Sequence, residues 1–312
     1  MLQWDVYICQ SKACIERGAA ITLDSFISLA PSSQITVHPA ILTKIKSKGP
    51  NIICIPRKRT STSKPFEVNN VDSVDKVCRI LTQHLSILNI TSEARNTIHF
   101  YHKGNSHLER NEISEAIHAY DKSLAYDESL CPGFPKKEGY ILLMRATAYL
   151  QRAFQHQDEL KEVVIKLREI VPDAASLGSS YATAMDHPTL SLHIFTRLLS
   201  DCKRQEFFFR QIKFHHGLYE FALLHAARDS LRATQILTHN ANAMTRAAEI
   251  LAKLRKFFES SKYYEKAIEL DPELETTLSP IIDDLKNQEV LVVDSGLGWH
   301  QEILRLALDV AG

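Results

Sequence analysis

Apolar positions recur at helical spacing along most of the chain. From Val71 to Leu88, Val74, Val77, Leu81, Leu85 and Leu88 fall every three or four residues, which predicts a helix. Thr91 or Ser92 stands ready to cap a second one carrying Ile98 to Leu108. Asn111 and Glu112 mark a turn, and Ile113 to Tyr126 predicts the antiparallel partner. CPGFPKKEG (131–139) reads as a loop. GYILLMRATAYLQRA (139–153) and ELKEVVIKLREIVP (159–172) predict another helix pair with a longer turn. TLSLHIFTRLLSDC (189–202) is helix-like, and 205–239 reads as a long helix plus a second one. ETTLSPIIDDLKNQE (275–289) predicts a terminal helix with a polar outer face, VLVVDSGLGW (290–299) a turn, and HQEILRLALDV (300–310) a short amphipathic helix.

The first 90 residues follow a different pattern. SKACIERGAAITLDSFISLA (11–30) has helix-like patches ended by Pro31. VHPAILTKIKSKGP (37–50) predicts a short helix opened by Pro39 and closed by Gly49. NIICIP (51–56) is a brief β-branched run that predicts a strand, and RKRTSTSKPFEVNN (57–70) a loop or linker.

Two stretches share a finer spacing. Gly104 is followed at twelve, sixteen and nineteen residues by Ala116, Tyr120 and Ser123. Ala248 is followed at the same offsets by Ser260, Tyr264 and Ala267, then by Pro272. Small side chains let two helix backbones approach where they cross, and an aromatic one turn on fills the gap beyond. The spacing resembles the tetratricopeptide (TPR) family, in which W-x2-L-G-x2-Y, A-x3-F and Pro recur over about 34 residues. Ala146 and Tyr149, then Leu160, Val164, Leu167 and Pro172, extend the resemblance to a further repeat with a longer turn. Leu177, Gly178 and Tyr181 match L-G-x2-Y, and Ala226 and Ala233 fall at repeat offsets although Phe214 occupies a small-residue position.

The resemblance implies a mostly α fold: a TPR-like α-solenoid of stacked antiparallel helix pairs after a small mixed N-terminal segment. The divisions are 1–70 (mixed segment with a basic loop), 71–288 (helical array) and 289–312 (turn and short helix). Repeats are expected near 97–130, 139–172, 205–240 and 241–274, with an insertion or degenerate repeat over 173–204 and a capping helix over 276–288. Stacked pairs of this family make a groove lined by the first helix of each repeat. The implied groove residues are Ile98, Tyr101, Asn105 and Leu108, then Tyr140, Leu143, Thr147 and Leu150, then Asn242, Thr245, Arg246, Glu249 and Ala252. The implied function is an adaptor or scaffold holding a peptide or helix of a partner protein, without catalysis or cofactor.

Two alternatives stand beside it. Co-chaperones of the family clamp an acidic peptide tail with basic and amide residues. Asn105 and Arg246 match that pattern, whereas Tyr101, Met144 and Asn242 replace a Lys, an Asn and a Lys. A small enzyme, or an enzyme subunit, would place its site in the N-terminal segment or the middle helices.

Composition narrows the classes. Lys plus Arg and Asp plus Glu each number 37, so charge argues against nucleic acid as a partner. No apolar run reaches the roughly 18 residues of a membrane span. MLQWDVYICQ lacks a secretory signal, and six scattered cysteines read as free thiols, so a cytoplasmic protein is expected, with nuclear as the alternative. Between Asp24 and Glu67 the charges (Lys44, Lys46, Lys48, Arg57, Lys58, Arg59, Lys64) are all basic, a solvated loop or a phosphate-facing patch that Ser or Thr phosphorylation would cancel. His99 and His102 are near enough on one helix to share a metal, but no carboxylate from another helix joins them in the sequence, so no metal is expected. His107 lies more than a turn beyond, and His215 and His216 point in different directions.

Overall fold

The computed structural model describes residues 3–42, 49–57, 64–87, 90–126, 137–170 and 203–295. Two compact units divide the chain, Met1–Arg145 and Ala146–Gly312. The expected repeat elements over 173–202, most of the 131–139 loop, Leu88 and the helix over 300–310 lie outside the described residues, as do 43–48 and 58–63 of the basic stretch.

The first unit opens with a strand that the periodicity argument missed. β1 (Trp4–Cys9) alternates Trp4, Val6 and Ile8 inward with Asp5 and Tyr7 on the other face. Helices α1 (Lys12–Ile15) and α2 (Ala19–Leu29) lead to β2 (Ile35–Ala40), which pairs parallel with β1. β3 (Ile52–Pro56) is the expected strand, and it joins β1 antiparallel; β4 (Phe66–Val68) joins β3 antiparallel. The sheet order is β2-β1-β3-β4. Two expectations are corrected here. Residues 37–40 are strand, not the start of a helix, because β2 is an edge strand, where a proline without an N–H is tolerated. The stretch 57–70, expected as linker, contributes β4.

Helix α3 (Val74–Arg79) widens into a π-helical turn, Ile80–His84, in which the Leu85 amide donates to the Ile80 carbonyl at 3.0 Å. Val74, Val77 and Leu81 pack into one core with Trp4, Val6, Ile8, Phe26 and Ile52. α4 (Ser92–Glu109) and α5 (Ile113–Leu124) then form the expected pair. Thr91 caps α4 by accepting from the Ala94 amide at 3.1 Å, and Asn111 turns the chain at φ 60°. At the crossing, a Cβ on Gly104 would stand 2.5 Å from the Tyr120 ring, so only glycine fits. Ser123 donates to the Thr97 carbonyl at 2.7 Å and ties the far end. α6 (Lys137–Ile170) starts in this unit.

In the second unit, the rest of α6 packs against α7 (Lys203–Ile236) through Ala146, Leu150 and Ala153 on one side and Tyr219, Ala222, Leu223 and Ala226 on the other. Tyr149 stacks on His225 and His156 faces His215, so the two helices run antiparallel. The helix pairs expected within 139–172 and within 205–240 are therefore corrected: 137–170 and 203–236 are each one unbroken helix. Phe154 to Asp158, after Ala153, contain no positive-φ residue, unlike the turns at Asn111 in the first pair and Arg255 (φ 59°) in the last. Phe214, at a small-residue position by spacing, is 59% exposed and meets no crossing.

α8 (Ala241–Lys253) and α9 (Phe257–Leu270) make the second expected pair. Asn240 caps α8 by accepting from the Ala243 amide at 3.0 Å. Ser260 donates to the Ala248 carbonyl at 2.8 Å, which holds the backbones at contact distance. α10 (Glu275–Ser295) follows a 3-10 turn at Pro272–Leu274 and packs Leu278, Ile282 and Leu285 against Tyr264 and Ala267. It is longer than expected, and Val290 to Ser295 are helix instead of turn. Ala116 and Ala248 are both fully buried. Ala116→Leu and Ala248→Leu should each cost about 1–3 kcal/mol by overpacking, read as a fall in urea midpoint at unchanged m-value.

Candidate functional site

α8 buries one side and offers the other. Ala243, Met244, Ala247, Ala248 and Leu251 are buried, whereas Asn242, Arg246 and Glu249, at i, i+4 and i+7, form a polar stripe in which Asn242 is exposed and Arg246 and Glu249 are half-buried. Arg246 pairs with Glu249 through Nη1 and Oε2, one turn apart. Thr245 and Ala252 flank the stripe half-buried; the Thr245 hydroxyl is buried and meets no hydrogen-bond partner among the described residues. Beneath the stripe, burial and the Glu249 carboxylate push the Tyr264 phenol up to about 12, with Arg246 opposing, so Tyr264 stays a neutral packing residue.

The implied residues on α4 divide differently. Ile98 is fully buried in the sheet-side core and cannot line a groove, a correction that follows from α4 covering both the sheet and α5. Tyr101, Asn105 and Leu108 are half-buried. The Asn105 carbonyl accepts from the Tyr120 hydroxyl at 2.8 Å. Lys137 Nζ lies 3.9 Å from the centre of the Tyr101 ring. Burial pushes the Tyr101 phenol up to about 12, partly offset by the Asn105 amide. Tyr140, Leu143 and Thr147 are half-buried on α6, and Leu150 is buried against α7.

Sequence reasoning missed Lys137, the centre of this region. Its side chain is 1% exposed and its Nζ donates to both Asp24 oxygens, at 2.8 and 2.7 Å. His102 Nε2 lies 3.1 Å from Asp24 Oδ2. Burial raises the Asp24 carboxyl, but the hydrogen bond from His102 and the Lys137 charge outweigh it and hold it below the usual range. No sequence signal tied residue 24 to residue 137, because that contact exists only in the fold.

Residues 241–274 match the family model described as Tetratricopeptide repeat. That stretch coincides with α8, α9 and the Pro272 turn, whose small and aromatic positions are buried at their crossing. Residues 241–274 are similar to a tetratricopeptide repeat. Curated proteins return no match to the chain. The repeat supports a general role in protein–protein interaction.

Other candidate chemistry resolves into packing and ion pairs. Ser25, His102 and Asp24 lie together, but Ser25 Oγ (3.5 Å) and Asp24 both meet the same ring nitrogen, Nε2, so the imidazole is not strung between them as in a nucleophilic triad. Burial raises the Cys9 thiol, and hydrogen bonding with Ser11 and Cys14 brings it down to about 7; the side chain is nonetheless buried from any substrate. Arg57 of the basic stretch donates to Asp5 at 2.9 Å, so its charge is paired. His107 pairs with Glu112 at 2.5 Å, and His99 packs edge-on against Phe100. Among the described residues, no helix is long and apolar enough to cross a membrane.

Proposed function

We propose that this chain is an adaptor that binds a peptide or helix of a partner protein on the outward stripe of α8, through Asn242, Arg246 and Glu249. The observation that carries the reading is that the stretch matching the repeat family folds as a helix pair whose first helix carries a polar stripe, Asn242 exposed and Arg246 and Glu249 half-buried, beside its buried face. The paired Arg246 and Glu249 offer one cation and one anion a turn apart, which suits a segment presenting both charges. That pairing also speaks against the tail-clamping alternative, because Arg246 would have to leave Glu249 to grip a carboxylate. On α4, Tyr101, Asn105 and Leu108 serve as a secondary face, with Tyr101 and Asn105 stiffened by Lys137 and Tyr120.

The test is affinity purification of the tagged full chain from its native cell, with wild type, Arg246→Glu and Asn242→Ala in parallel. Loss of the same protein from both variants, with circular dichroism unchanged, is the expected result. A partner set identical across all three would place the binding surface elsewhere. A peptide ending in EEVD should show no sub-millimolar, salt-sensitive binding to wild type.

A further inference from the structure

We propose that His156, Glu159 and His215 form a binding site for a zinc-class divalent metal ion that clamps α6 to α7. His156 and Glu159 stand at i and i+3, on one face of α6, and His215 faces them from the antiparallel α7. Glu159 Oε2 lies 2.8 Å from His156 Nδ1 and 3.1 Å from His215 Nδ1. The three donor atoms lie within 4.8 Å of one another. Bonds of 2.0–2.1 Å in a tetrahedron put donor atoms about 3.3 Å apart, so the two Glu159 distances need change by only a few tenths of an ångström and the widest separation by at most roughly 1.5 Å, within reach of side-chain rotation.

The donor set selects the ion. Two imidazoles and one carboxylate suit zinc, cobalt or nickel, whereas calcium and magnesium want oxygen donors throughout. The imidazoles are 13% and 16% exposed and Glu159 is 51% exposed, so protein holds the nitrogen side and solvent reaches the oxygen side. A fourth position is thereby left for water or for a donor from a partner. Packing fixes the frame: Ala153 and Leu160 flank the site on α6, and Tyr219 is buried one turn beyond His215 on α7. The plain alternative is a carboxylate shared by two imidazole N–H groups with no affinity for metal.

Two independent readouts test the proposal on the full chain. The protein is stripped with chelator and titrated with zinc chloride by calorimetry, and cobalt chloride is added separately to follow its visible d–d bands. One tight site per chain, a cobalt spectrum of low-coordinate type and a melting temperature raised by zinc are expected. Second-shell losses already weaken metal sites about 10–100-fold, so His215→Asn and Glu159→Gln, which lose a ligand, should weaken this one by at least that much. His107→Ala, in a His–Glu pair on another helix, should leave it unchanged. No one-to-one binding by wild type, or the same affinity in Glu159→Gln and His215→Asn, overturns the proposal; if His215→Asn does not fold, Glu159→Gln decides alone.

Discussion

Tyr120→Ala should lose about 3–5 kcal/mol of stability, the largest effect of any single truncation in the first helix pair. The ring is fully buried, rests on Gly104 and anchors its hydroxyl on Asn105. Removing it opens a cavity that Gly104, without a side chain, cannot fill, and it leaves the Asn105 carbonyl without that donor. Tyr120→Phe separates the two contributions, since it keeps the ring and gives up only the hydrogen bond, at about 1 kcal/mol. Gly104→Ala is the complementary change: its Cβ would push the Tyr120 ring out of the same place, a penalty from excess volume instead of lost volume. Urea denaturation followed by far-ultraviolet circular dichroism measures all three. A Tyr120→Ala loss no larger than that of Tyr120→Phe would mean that the crossing is not packed as described.

The two helix pairs were legible for the same reason that these variants are damaging. Close approach of two backbones needs small residues at fixed intervals, and Gly104 with Ala116 and Ala248 with Ser260 carry that requirement in the sequence. The long helices were not legible as such. A 34-residue helix pair and a 34-residue helix bury apolar residues at the same period, and only the turn separates them. Ala146 and Ala226 were placed correctly as small contact residues, yet they meet each other's helix in place of a partner within their own repeat. The sheet escaped notice because strand pairing is non-local: the Trp4, Val6, Ile8 alternation is too short to stand alone, and β4 has three residues. On the candidate face, Asn242, Arg246 and Glu249 came from the family resemblance, while Ile98 was misplaced because α4 packs on two sides. The His156–Glu159–His215 cluster joins positions on two helices whose antiparallel pairing the sequence did not reveal.

Lys137→Met should cost about 3 kcal/mol, near the low end of the range for removing one partner of a buried ion pair, because solvent still reaches Asp24. Methionine keeps most of the stem that covers Tyr101, so the loss reports the charge and not the packing. What remains is the Asp24 carboxylate, 33% exposed, with the His102 contact. Asp24→Leu in the Lys137→Met background should recover most of the loss, since an apolar pair removes the uncompensated charge. The pH dependence has a definite sign. The Asp24 carboxyl is lowered in the folded protein, so its contribution is complete above the unfolded value of about 3.9 and disappears as pH falls through the lower folded value. Wild type and Asp24→Asn should therefore differ most in urea midpoint near neutral pH and converge toward pH 2. Equal gaps at both pH values, or additive losses in the Lys137 and Asp24 double variant, would show that the two side chains are neighbours without being coupled.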